Sequence, residues 1–227
     1  MRLVIIATAG VALTACVVMQ RKVAIPEGTD AVVIVGSAAL MQPAGGIARH
    51  PWISLRPAGT QAWERWEVMC CPNSSKMSTV RRGGIRPTSD HGGGGGDVRF
   101  HAVIRGTEAS AIIDCVREAA PRYPHRNKYR AFPGPNSNTF VDWMIRECGI
   151  GADLPSTSIG RDYRGIIGVS TTAGGTGLQL ESPLVGVKVG LTEGVEVHIL
   201  GMAFGIDLWP PALIVPVGPG RIGFDDR

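Results

Sequence analysis

The chain has 227 residues, 44% hydrophobic and 19% charged, which suits one globular domain with a full-sized core and excludes an intrinsically unfolded chain. The net charge of +4 is mild and its basic residues are scattered. The short cluster Val80-Arg81-Arg82-Gly83-Gly84-Ile85-Arg86 reads as a solvated loop, so no nucleic-acid partner is expected.

Residues 1–22 stand apart. Leu3 to Met19 are 17 residues without a charge, between Arg2 and the pair Arg21–Lys22. That length suits the apolar core of a signal peptide, a short membrane anchor or a buried core helix. Leu13-Thr14-Ala15-Cys16 resembles a bacterial lipobox, in which Cys16 would carry the lipid. The lipoprotein and the uncleaved anchor both tether the remainder to a membrane. The expected location is therefore a bacterial cell envelope, with the domain on the outer side of the inner membrane. Arg21–Lys22 weigh against translocation of the chain beyond them.

Residues 23–30 read as a linker and 31–227 as a single α+β domain. Asp30 to Leu40 form an apolar run expected to be a buried strand. Arg49 to Pro57 alternate, with His50, Trp52, Ser54 and Arg56 on one side; a Pro-Ala-Gly turn then returns the chain through Ala62 to Cys71 as a hairpin partner. Residues 72–97, with their five-glycine run, carry no apolar period and are expected to be a flexible loop. Val98 to Gly106 is a further strand. Thr107 can cap a helix with Ala109, Ile112, Ile113, Val116 and Ala120 on its apolar face. A second helix is expected from Ser137 to Cys148, burying Phe140, Val141, Met144, Ile145 and Cys148. From residue 154 onward β-branched and glycine-rich segments predict a β-rich extension.

Cys115 and Cys148 fall on apolar helix faces, and buried thiols are expected there. There is no Cys-x-x-Cys pair, and no Asp, Glu or His set has metal-ligand spacing, so neither a metal nor a cofactor is expected.

The candidate site centres on Tyr129-Arg130-Ala131-Phe132-Pro133-Gly134-Pro135-Asn136-Ser137-Asn138-Thr139-Phe140. A rigid turn delivers Ser137 to a helix N-terminus, where unpaired amides favour an anionic nucleophile or a developing oxyanion. His50 is the candidate base, and Glu67 reads either as a carboxylate that orients it or as a solvated strand residue; Asn136, Asn138, Trp52, Tyr129 and Arg130 are candidate substrate-binding residues. Equally, Asn136, Ser137 and Asn138 are all good helix caps. His101 is an alternative base or a structural histidine, His91 and His125 read as exposed, and His198 as a sheet-face residue.

Several stretches together, among them "AGGIARHPWISLRPAG", "WERWEV", "YPHRNKYRAFPGPNSNTFVDWM" and "EGVEVHILGMAFGIDLWPPAL", resemble a bacterial family of unknown function, DUF3750, over residues 31 to 224. "PNSNTF" opening a helix after an earlier strand histidine also resembles the signature of circularly permuted papain-like hydrolases of the NlpC and PPPDE types. That second likeness implies a permuted papain-like core. It further implies a hydrolase or acyltransferase acting on an amide or ester, with an envelope peptide or lipid as substrate. Serine stands at 137 where those enzymes carry cysteine, and a hydroxyl needs a well-aligned base. A catalytically silent binding or structural module on the same fold is the alternative.

Overall fold

The structure, a computed structural model, describes residues 25–70 and 77–224. The expected anchor and Cys16 lie outside the described residues. Among those described, no helix is long and apolar enough to cross a membrane.

Five antiparallel strands form the first sheet: β1 (Val32–Leu40), β2 (Arg49–Arg56), β3 (Glu64–Val68), β4 (Val80–Gly83) and β5 (Gly94–Arg105), in the order β4-β3-β2-β1-β5. β1 and β2 are expected strands, and the β2–β3 hairpin forms as its alternation predicts. β5 passes directly into α1 (Gly106–Ala119) through Gly106, whose φ of +69° only glycine adopts without strain. The residue capping α1 is Arg105, not Thr107, and its side chain makes no capping bond. α2 (Ser137–Glu147) follows a Pro-Gly-Pro turn.

Parity along the strands separates two buried faces. Val33 and Val35 of β1, Ile53 and Leu55 of β2, and Trp66 and Val68 of β3 form one core with Ile112, Ile113 and Val116 of α1 and with Phe140, Val141, Met144 and Ile145 of α2. Val32, Ile34 and Trp52 are fully buried on the opposite face and take no part in that core. Arg56 reaches Pro26 O at 2.9 Å on that face.

Two expectations fail. The glycine-rich stretch is not all filler: β4, which includes the start of the basic cluster, and the start of β5 form within residues 80–97, with Gly94, Gly95 and Gly96 opening β5 at the sheet edge and Gly92 and Gly93 in the turn before it. A Cβ on Gly95 would sit 2.5 Å from Leu40 O, and one on Gly92 would sit 2.6 Å from the His50 ring. Cys115 and Cys148 are not free thiols, since they form a disulfide between α1 and α2. Helical periodicity places both near the helix–helix contact but carries no information on their pairing.

The second sheet is a meander of β6 (Gly168–Thr171), β7 (Gly177–Glu181), β8 (Val185–Gly190), β9 (Gly194–Ile199), β10 (Met202–Leu208), β11 (Pro211–Ile214) and β12 (Arg221–Gly223), each paired with the next. Two helices with two antiparallel sheets make the fold α+β with a β-rich C-terminal part. The meander is inverted relative to ordinary sheets. Its buried face carries Gln179, Glu181, Lys188, Glu196, His198 and Asp207, and its apolar side chains point outward.

Candidate functional site

Asn136 begins α2 from an extended backbone. Its Oδ1 accepts from Asn138 N at 2.9 Å and Thr139 N at 3.1 Å, while Thr139 Oγ1 accepts from Asn136 N at 3.1 Å. This reciprocal capping box satisfies the helix start. The Asn136 amide nitrogen also donates to Ala131 O and Ile159 O, and Asn138 Nδ2 donates to Ile159 O at 2.8 Å. Both asparagines therefore tie the helix to neighbouring loops rather than lining an open pocket. The cap is Asn136, so the capping role open to Ser137 is filled by its neighbour.

Ser137 is the first helical residue and shares the sheet-facing side of α2 with Phe140, Val141 and Met144. It is 5% exposed. Among the described residues neither its N–H nor its Oγ has a hydrogen-bond partner. The N–H of a first helical residue has no intrahelical partner, and here the neighbouring hydroxyl is spare as well. Three buried polar atoms close to it in sequence or in the adjoining loop lack partners: Asn138 Oδ1, Thr157 Oγ1 and Ser158 Oγ.

His50 does not face this serine. It shares strand parity with Trp52 and Ser54, so it lies on the sheet face opposite the helices. Its Nε2 donates to Glu67 Oε2 at 2.8 Å, and Gly92 covers its ring. Glu67 also accepts from Arg65 Nη2 at 2.8 Å and from His91 Nδ1 at 3.2 Å. Burial pushes the Glu67 carboxyl up, but the His50 bond and the Arg65 charge outweigh it and hold it below its ordinary value. Arg65 stacks over Trp52 at 3.7 Å and donates onward to Ser89 O and His91 O. His50 and Glu67 are thus joined. Alternation alone cannot tell which face the helices cover, and the pair lies on the other one. Trp52 is fully buried there and lines no opening.

The imidazole on the helix side of the first sheet is His101. Its Nε2 lies 2.7 Å from Ser37 Oγ, which accepts from Arg49 Nε at 2.7 Å. Ser37 has the parity of Val33 and Val35, which fixes that face. The remaining candidates separate. Tyr129 is half-buried against the core, and Arg130 is exposed, bound through its backbone N–H to Pro135 O.

A second polar cluster joins the meander to residues 153–164, and sequence reasoning missed it. Arg161 pairs with Asp162 at 2.9 Å and with Glu196; Lys188 pairs with Glu196 at 2.8 Å. His198 Nδ1 donates to Glu181 Oε1 at 2.5 Å, and its Nε2 lies 3.2 Å from Glu196. Burial alone would lower the His198 pKa, but the charge of Asp162 and the bonds to Glu181 and Glu196 carry it up to about 9. Asp162, Glu181 and His198 are metal-ligand types within 4.8 Å of one another. Arg161 and Lys188 sit in the same cluster, so these three groups are also members of a buried ion-pair network. The signal that could have found it is the alternation in "GVEVHI" and "VGVKVG", where the polar residues all share one face.

These features define a two-sheet α+β domain with a capped helix opening on an unpartnered serine. Residues 30–163 match the family described as protein of unknown function DUF3750, and the chain belongs to that family. The match covers the first sheet and both helices and stops before the meander, short of the extent expected from the sequence. Neither a curated protein nor a solved structure matches the chain.

Proposed function

We propose that this is a membrane-tethered envelope protein that works as a binding module, its first-sheet histidine serving structure and not catalysis. One observation carries this reading: His50, the expected base, is bound to Glu67 on the face of the sheet turned away from Ser137. Arg65, Glu67, His50 and His91 bond one another and the loop over them. The uncharged stretch Leu3 to Met19 supports the tether and the envelope location.

A second reading has its own support. The free N–H and hydroxyl of Ser137 are what a nucleophile and its oxyanion donor require at a helix N-terminus. In this reading Ser137 attacks an amide or ester of an envelope peptide or lipid, on a permuted papain-like core. The base is then His101, the imidazole on the helix side, and His50 has no part in the reaction.

Fluorophosphonate labelling of the full chain separates the two. The binding module is not labelled at Ser137, and Ser137→Ala changes nothing. Labelling lost in Ser137→Ala and His101→Gln, but kept in His50→Gln, would establish the hydrolase. Resistance of the chain to carbonate extraction from membranes, with mass spectrometry of its N-terminus, tests the tether.

A further inference from the structure

We propose that the outer face of the β6–β12 meander is a membrane-contacting surface, and that its occupant is the hydrocarbon of a lipid bilayer. The inference rests on the tethered reading only for bringing the sheet near a membrane.

The outward positions of all seven strands, from Val169 on β6 to Ile222 on β12, hold no charged residue. Leu180, Val187, Val197, Ile199, Phe204 and Ile206 are each more than a third exposed. With strands ~4.8 Å apart and ~3.3 Å per residue, the seven strands present a plane on the order of 500 Å² before side-chain relief is counted. A contiguous charge-free surface of that size is a contact surface. The charges of the central strands are turned inward, where they pair with one another and with Arg161 and Asp162.

The occupant follows from what the tether brings to this face: the uncharged stretch Leu3 to Met19 would hold the domain at a bilayer, and acyl chains conform to a surface of any shape. The turns at its margin continue the same chemistry, with Leu184, Leu191 and Trp209 all largely exposed. A flat protein partner would leave that margin in water; a fluid apolar phase covers it. The strands run three to seven residues, too short for the roughly 9–11 that span a bilayer, so the sheet lies face-on. Its ladders already satisfy the backbone of the inner strands, as a lipid environment demands.

The test places p-benzoylphenylalanine at Val197, at Phe204 or, as a control on the exposed side of α1, at Glu118. Each full-length variant is reconstituted in phosphatidylcholine–phosphatidylglycerol vesicles, irradiated and analysed by mass. The expected result is lipid adduct at 197 and 204 and none at 118. A covalent dimer at 197 and 204 in place of lipid adduct overturns the proposal in favour of a second copy. Absence of any adduct there overturns it too; if the chain still resists carbonate, the tether stands and only the face falls. Lipid adduct on a chain that carbonate removes keeps the face and refutes the tether.

Discussion

Asn136 caps α2 with its own side chain, and in doing so leaves the N–H and hydroxyl of Ser137 without partners among the described residues. The roles of these adjacent residues are therefore opposite: one is structural, the other spare. Asn136→Ala removes the cap and the bond to Ala131 O, while Ile159 O keeps its bond from Asn138, at an expected cost of about 1–3 kcal/mol. Ser137→Ala should stay within about 1 kcal/mol of the parent. Urea unfolding of both variants checks the order, and a costlier serine substitution would mean that Ser137 holds the helix.

Glu67 is 2% exposed and neutralises the fully buried Arg65 guanidinium. Glu67→Ala leaves that charge unpaired and should cost about 3–5 kcal/mol. Glu67→Gln retains a hydrogen-bond acceptor and should cost less. Unchanged melting in Glu67→Ala would show that the cluster is not structural.

Stability should fall on the alkaline side. His198 is raised to about 9, so its protonated form stabilises the fold fully below its ordinary value near 6.5 and loses that effect as pH rises through about 9. The full effect is on the order of 3 kcal/mol. Glu196 is lowered to about 2, burial being outweighed by Arg161 and Lys188, so its contribution is present above its ordinary range and disappears as pH falls through about 2. Urea midpoints followed across pH should show both slopes, and His198→Gln should abolish the alkaline one.

Reduction of Cys115–Cys148 opens a cross-link between residues 33 apart. The chain-entropy relation puts its contribution at roughly 3–4 kcal/mol. Melting with and without reductant, beside Cys115→Ser/Cys148→Ser, measures it; equal melting temperatures would mean the helices need no staple.

Gly95→Ala should destabilise by about 1–3 kcal/mol, since its Cβ meets the backbone oxygens of Leu40 and Ala39 and neither can step aside. Alanine tolerated there would restore the view of the glycine run as a loose loop.

Periodicity determined much of this protein. The strand at Val32–Leu40, the β2–β3 hairpin, the apolar stripes of α1 and α2 and the β-rich C-terminal part follow from residue spacing alone, because side-chain direction repeats with the backbone. Periodicity leaves open which side of an alternating strand meets the rest of the molecule. His50 alternates as clearly as His101, yet the helices cover only the face of Ser37 and His101. In "GVEVHI" the usual assignment turns valine inward; here Glu196 and His198 turn inward, because Arg161, Lys188, Asp162 and Glu181 meet them with complementary charge. Those partners are far apart in sequence, and only the folded chain brings them together. Sidedness is a property of packing, so the tertiary structure decided both where the candidate site lies and which surface the protein shows to its surroundings.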